Sequence, residues 1–390
     1  MHKTVEKIFF ALLRFEIAGV ELCDDVKNLI TEEVLFPLYK LSKKHDLAHL
    51  IGDALDKNGL LVEDSTAKRT FLKERNLAIF RYEKTQYEYE SIIQTLSRSG
   101  REFIPLKGSV IRQYYPEPWM RTSCDIDILV KESDLDELAK LLCDTLSYSC
   151  ESNRTVNELS LYSPSGVHLE LHYDLTEGDK YGKEILSQIW DYSVKKEENT
   201  ASQLTDSVFY FYHIVHMLKH FESGGCGVRP FIDLWLLNKN VNYSISQREE
   251  MLKKDNILQF ANNCEKLANA WFGEKNIDEL GERLQSYILS GGVFGTLENR
   301  VGVQQAKKGG KFKYLISRIF ISKCELQLKY PKLKKHPYLL PYYHVKRWLK
   351  PLFKKDSRHD ALTELSQTNS LHNVEISSKQ KLLSDLGLKI

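Results

Sequence analysis

Lys107-Gly108-Ser109, followed by Arg121 and then by Cys124-Asp125-Ile126-Asp127-Ile128-Leu129-Val130, is the stretch on which the reading of this chain turns. Its second half is β-branched and aliphatic, which predicts a strand, and the two-residue period of a strand projects Asp125 and Asp127 from one face. Two neighbouring carboxylates repel each other unless a cation lies between them. A hard divalent ion such as Mg2+ takes oxygen ligands of this kind and keeps positions open for water and phosphate oxygens. Upstream, Glu102-Phe103-Ile104-Pro105-Leu106 is largely apolar and runs straight into Lys107-Gly108-Ser109. A strand, a tight turn and a helix opened by Val110-Ile111-Arg112-Gln113-Tyr114 are therefore expected in that order. In such a turn Gly108 lets the backbone approach a ligand, Ser109 offers a hydroxyl, and the helix start presents free N–H groups to an anion. Lys107 adds a mobile positive charge.

A third acid lies downstream in Val167-His168-Leu169-Glu170-Leu171-His172, where alternation sets His168, Glu170 and His172 on one strand face. The plain alternative is a polar edge strand facing water. Further on, His213, His216 and His220 share one face of a predicted helix that also carries Phe209, Tyr210, Phe211 and Tyr212. No cysteine pair or second histidine cluster completes a tetrahedral zinc site there. His213 and His216 are expected as partly buried groups turned toward a cleft, in reach of a base, a phosphate or Asp233, with satisfied core histidines as the competing reading. Gly224-Gly225-Cys226-Gly227 lacks the strand-before, lysine-after context of a P-loop and is read as a turn that places Arg229.

With 390 residues, 42% of them hydrophobic, the chain can bury a substantial core in two or three packed units. Residues 1–65 read as short helices without a catalytic signature. A long amphipathic helix is expected from Ser65 to about Ser97, ended by Ser99-Gly100. Strands then alternate with helices through Asp174: a helix over Asp134 to Leu146, and strands at Glu158 to Tyr162 and Val167 to Tyr173, joined by Ser163-Pro164-Ser165-Gly166. After Thr205 the pattern stays helical to about Phe353. The expected organisation is thus 1–65 helical, 66–200 a mixed core, 201–355 helical, and a polar tail over 356–390 with a last helix at Lys379 to Leu386. The seven scattered cysteines suit reduced thiols in the cytoplasm. Arg14 and Glu16 interrupt the apolar start too early for a signal peptide, and no stretch approaches the ~20 apolar residues of a membrane span.

The total charge of +2 hides an asymmetry: Val301 to Lys355 holds fifteen Lys or Arg against one acid, Glu325, a net +14 that leaves −12 for the rest. Such a flank attracts polyanions. The candidates are a nucleic acid, an anionic membrane surface met by aromatics such as Phe320, Tyr342 and Trp348, or only a solvated basic helical face.

These residues resemble the polymerase-β-like nucleotidyltransferase superfamily and, within it, an uncharacterised family with a Lys-Gly turn, a Tyr-Pro segment, an arginine and then Asp-x-Asp. Here those are Lys107-Gly108, Tyr115-Pro116-Glu117-Pro118, Arg121 and Asp125-Ile126-Asp127. Glu170 stands where the superfamily pattern has a third carboxylate between hydrophobic residues. Tyr212 to His216, Lys219-His220-Phe221, Gly227-Val228-Arg229 and Ile232-Asp233 look like the family's second block, so the resemblance is read over residues 70 to 350. The interval from Ser109 to Asp125 is longer than the superfamily usually shows.

The resemblance implies an α+β fold: a mixed-sheet polymerase-β-like core with N-terminal helices and a C-terminal helical domain. It implies a metal-dependent enzyme that moves a nucleoside monophosphate from an NTP to an acceptor hydroxyl and releases pyrophosphate. Asp125, Asp127 and Glu170 would be the catalytic, metal-holding acids for Mg2+ or Mn2+, with Glu170 also taking the acceptor's proton. Gly108 and Ser109 would grip the distal phosphates, and Lys107, Arg112 and above all Arg121 would neutralise phosphate charge. His172, His213, His216, Arg229 and Asp233 would line the cleft. The acceptor, whether protein, RNA or small molecule, has no motif in the sequence. Other readings are a decayed nucleotide-binding scaffold and a toxin-antitoxin component that nucleotidylates a protein or RNA. The two aspartates, the Gly-Ser turn and the third acid speak against decay.

Overall fold

The three longest strands form where apolar residues alternate with polar ones, and with two short strands they assemble into one mixed sheet. The computed structural model describes residues 2–388 apart from 151–153, 156, 177–180, 196–199, 241–243, 274, 294, 322, 324, 325, 328, 329, 331, 354–362, 364–367 and 369–372. The strands are β1 (Phe103–Pro105), β2 (Asp125–Val130), β3 (Ser149–Cys150), β4 (Glu158–Tyr162) and β5 (His168–His172), in the spatial order β1-β2-β5-β4-β3. β2 and β5 are parallel and every other neighbouring pair is antiparallel. A small antiparallel pair, β6 (Ser193–Lys195) and β7 (Ser202–Leu204), follows.

Seven helices precede or punctuate the sheet: α1 (His2–Ala18), α2 (Asp24–Lys27), α3 (Glu32–Lys44), α4 (Ala48–Lys57), α5 (Thr66–Arg98), α6 (Lys107–Ile111) and α7 (Leu135–Leu146). The long α5 starts where the Ser65 hydroxyl accepts the Lys68 N–H at 3.0 Å. It ends before Gly100, whose φ of 72° lets the chain leave the helix. Ile92 and Leu96 of α5 and Leu135, Leu138 and Leu142 of α7 pack on Ile126, Ile128, Val130, Leu169 and Leu171. Those strand residues alternate with Asp125, Asp127, His168, Glu170 and His172, so the polar set projects from the opposite sheet face.

Later come α8 (Lys183–Leu186), α9 (Asp206–Glu222), α10 (Arg229–Asn240), α11 (Ile245–Lys254), α12 (Leu258–Phe272), α13 (Glu279–Gly291), α14 (Leu297–Lys308) and α15 (Lys311–Ile319). The chain divides into two compact units: residues 1–217 with 228–281, and residues 218–227 with 282–390. The first holds α1 to α7, the sheet and α10 to α12. The helical stretch 201–355 is shared between the two. In the second unit the glycine loop has a packing role of its own. A Cβ on Gly295 would lie 2.4 Å from the Gly224 carbonyl carbon, and both residues hold positive φ, so these glycines let two backbones touch. The tail expected over 356–390 lies about half outside the described residues. A helix is present at Asn373–Asp385, where the Gln380 amide donates to the Ala306 carbonyl at 3.2 Å.

Candidate active site

Strand register determines which acids meet. The parallel pairing of β2 with β5 sets Asp125 beside His168, Asp127 beside Glu170 and Leu129 beside His172. β4 extends those rows with Tyr162, Ser160 and Glu158. At their centre the His172 Nε2 lies 2.8 Å from Asp127 Oδ1 and 3.3 Å from Glu170 Oε2, while its Nδ1 lies 3.4 Å from Glu158 Oε2. Lys107 reaches the same oxygen: its Nζ is 2.7 Å from Asp127 Oδ1. Lys107 opens α6 with a φ of 44°, a left-handed conformation that a residue with a side chain adopts at a cost. That conformation occurs at the head of the turn whose lysine is drawn into the acidic rows.

The electrostatics follow from this crowding. Burial works against an ionised Asp127, yet the Lys107 charge and the His172 hydrogen bond hold its carboxyl well below the usual range. Burial also opposes a charged His172, but Asp127 and Glu170 raise it to about 9. Lys107, disfavoured as a cation by burial, is held well above its ordinary value by Tyr212, Asp127 and Glu170. Asp125 is only partly compensated, by the charges of Lys107 and Arg121. Burial first, then the charges of Asp127 and Glu170, push it up to about 6. An acid raised by burial and by two acidic neighbours marks a place where further positive charge would be stabilised.

Among the described residues, one group of side chains could hold a metal: Asp127, Glu170 and His172 each offer a ligand atom within 4.8 Å of the others. Two carboxylate oxygens fit a hard divalent cation, and the imidazole can be a third ligand or stay hydrogen-bonded to Asp127. Asp125 stands outside that group, coupled to it through charge.

The arginines of the motif are engaged elsewhere. Arg121 forms a bidentate pair with Asp233 of α10, Nε to Oδ1 at 3.0 Å and Nη2 to Oδ2 at 2.9 Å, and Tyr115 donates its hydroxyl to the same Oδ1 at 2.7 Å. Asp233 is 1% exposed. Burial would raise its pKa, but Arg121 holds it below the usual carboxylate range. The third guanidinium nitrogen of Arg121 lies over Gly108, where an added Cβ would stand 2.4 Å from Nη1. Gly108 is thus needed for Arg121 to pass, whatever else the turn approaches. Arg112 donates through Nε to the Gly108 carbonyl at 3.1 Å and through Nη2 to the Ser123 hydroxyl at 2.9 Å. Burial and the Arg121 charge lower it to about 10. Both arginines brace the 108–123 segment, while Ser109 stays half-buried beside Gly108.

The histidines of α9 are packed into the fold. Buried His213 donates its Nε2–H to the Pro230 carbonyl at 3.0 Å, and burial lowers its pKa. His216 faces the Tyr212 ring, 6.1 Å between centroids. Arg229 pairs with Asp46, which also accepts from the Thr122 hydroxyl at 2.8 Å. His49 donates to the Met120 carbonyl at 2.8 Å. Asp46 and His49 belong to the N-terminal helical stretch, where sequence reading found no site signature. They grip the loop that leads into β2, and no local pattern advertises a partner more than seventy positions away.

Comparison with known proteins agrees with the motif. A family model described as an uncharacterised nucleotidyltransferase matches residues 37–273, more than half of the chain. The match begins well before residue 70 and stops well before 350. It takes in Asp46 and His49 and leaves out the basic 301–355 segment, which sequence reading had included. No curated protein and no solved structure matches the chain.

Proposed function

The chain belongs to this family of nucleotidyltransferases, and from that premise we propose that the Asp127 face of the sheet moves a nucleoside monophosphate from a nucleoside triphosphate to an acceptor hydroxyl. The acceptor oxygen attacks the α-phosphorus, the bond from that phosphorus to the bridging oxygen breaks, and pyrophosphate leaves. The sheet is then read as a polymerase-β-like core. The observation that carries this reading is the row in which Asp127 lies beside Glu170, with Asp125 on the same face and raised to about 6.

A divalent ion such as Mg2+ or Mn2+, held by Asp127 and Glu170 with Asp125 or His172, would supply Lewis-acid polarisation of the phosphate. Glu170, half-buried and next to Asp127, takes the acceptor's proton. Lys107 carries a positive charge into the rows, and in this reading Lys107 and Ser109 meet the phosphate oxygens. Arg112, Arg121, Tyr115 and Asp233 act as positioning residues, because Arg121 Nε and Nη2 and the Tyr115 hydroxyl go to Asp233 and Arg112 Nε and Nη2 go to Gly108 and Ser123. The six described cysteines are free thiols, which suits the cytoplasm. Among the described residues no helix is long and apolar enough to cross a membrane.

Incubation with each labelled NTP, Mg2+ or Mn2+ and a cell extract tests the reading. Label should pass to a protein, RNA or small molecule with release of pyrophosphate, and Asp127→Ala should abolish it. Tight nucleotide binding without transfer under any metal would overturn it.

A further inference from the structure

We propose that the second unit docks peripherally on an anionic lipid bilayer, through the outward faces of α15 and of the helix at Leu340–Phe353. In α15 the exposed residues Phe312, Ile316 and Ile319, continued by Phe320, recur at steps of four, three and one, so they form one apolar stripe. That stripe faces solvent, with Phe312 at 75% and Phe320 at 60% exposure, while Tyr314 supplies the buried contact. The second helix repeats the arrangement with Tyr342, Val345 and Leu349, all exposed. The two helices are fastened together: the Trp348 Nε1 donates to the Ile319 carbonyl at 2.8 Å, and the Trp348 and Phe320 rings meet edge to face at 5.5 Å. The two helices are thus held against each other, with Phe320 of the first stripe seated on Trp348 of the second helix.

Charge decides the occupant. Neither helix contains an acid, and Lys311, Lys313, Arg318, Lys346 and Lys350 are exposed around the stripes. A second copy of this chain meeting it through the same face would bring like charge to like charge. A nucleic acid would use the lysines and stack on aromatic rings, but it has no use for exposed Ile316, Ile319, Val345 and Leu349. A bilayer with anionic headgroups uses both parts, since cations meet the headgroups and aliphatic and aromatic side chains enter the acyl boundary.

The test is co-sedimentation of the full chain with vesicles of phosphatidylcholine alone or mixed with phosphatidylserine at about 3:1. Binding to the mixed vesicles should exceed that to neutral ones by about tenfold and fall with added salt. Phe312→Ser with Ile316→Ser, and separately Val345→Ser with Leu349→Ser, should each weaken it by about tenfold with charge unchanged. All four side chains are solvent-exposed, so the unfolding midpoint should stay where it was. Nucleotidyl transfer to a soluble acceptor should also survive, which separates this surface from the acidic site. Equal binding to both vesicle types, or binding indifferent to both serine pairs, would overturn the proposal. So would capture of single-stranded RNA without vesicle binding, which would assign the surface to nucleic acid.

Discussion

Gly108→Ala is the substitution that most sharply separates two accounts of the Lys107-Gly108-Ser109 turn. An added Cβ would stand 2.4 Å from Arg121 Nη1, whereas ordinary contact begins at 3.4 Å. The guanidinium must therefore retreat by about 1 Å, well up the repulsive wall of the contact. A flexible arginine would yield at little cost, but this one is clamped by Asp233 at 3.0 and 2.9 Å. Moving it stretches both charge-assisted bonds toward about 4 Å, with about 1.5–3 kcal/mol at stake in each. Complete loss of a buried pair costs about 3–5 kcal/mol because the remaining charge is stranded. We expect a destabilisation of about 3 kcal/mol, read as a shift in the urea midpoint, together with a loss of transfer activity. In an Arg121→Ala background the same substitution should cost less than about 1 kcal/mol, since the obstructing group is gone. If Gly108 serves only to admit phosphate, Gly108→Ala would weaken nucleotide binding and leave stability alone. That result, or an undiminished penalty in the double variant, would refute the packing account.

Asp127→Asn keeps the shape of the acidic row and removes its most strongly ionised member, so transfer from labelled NTP should drop by at least about 10³-fold while nucleotide binding falls less. Tyr115→Phe deletes a 2.7 Å bond to a buried carboxylate. It should lower stability by about 1.5–3 kcal/mol in urea titration, with the metal requirement of the reaction unchanged. His49 gives a pH signature: burial, only partly offset by its bond to the Met120 carbonyl, lowers it to about 4. Between an unfolded value near 6.5 and about 4 the unfolded chain binds the extra proton, so stability is fully present above 6.5 and lost as the pH falls. The loss should reach about 3 kcal/mol by pH 4, and His49→Gln should flatten that part of a urea midpoint profile between pH 7 and pH 4.

The sequence carried the local half of this architecture. Alternation in Asp125 to Val130 and in His168 to His172 assigned a face to each acid, and the apolar run into Lys107 foretold a strand followed by a helix; that helix opens at Lys107 and not at Val110, so Lys107-Gly108-Ser109 is its first turn and Arg112–Tyr114 continues as a 3-10 turn. What stayed hidden were partners set by tertiary packing. Nothing in Tyr115-Pro116 or Arg121 announces Asp233, more than a hundred residues away, and a basic residue near a glycine turn reads as phosphate-binding until its donors are seen to be occupied. Asp46 and His49 were invisible for the same reason: helical periodicity reports the face a residue occupies and says nothing of the loop it holds.

The pairing of Asp127 with Glu170 follows from the register of β2 on β5, which the hydrophobic pattern protects against any one-residue slip. Sliding β5 by one residue would turn Leu169 and Leu171 out of the layer under α5 and α7 and drive His168, Glu170 and His172 into it. Burying those polar groups without partners would cost several kcal/mol in total, at about 1–3 kcal/mol for each. The core therefore excludes any odd slip, and in the observed register two carboxylates lie side by side; Lys107 and His172 meet the charge of Asp127, while Asp125, pushed up first by burial and then by Asp127 and Glu170, is raised to about 6. Apolar burial on one face of the sheet holds together on the other an acidic cluster that would disperse if left to itself. A cation bridging the cluster would relieve the repulsion that the register imposes.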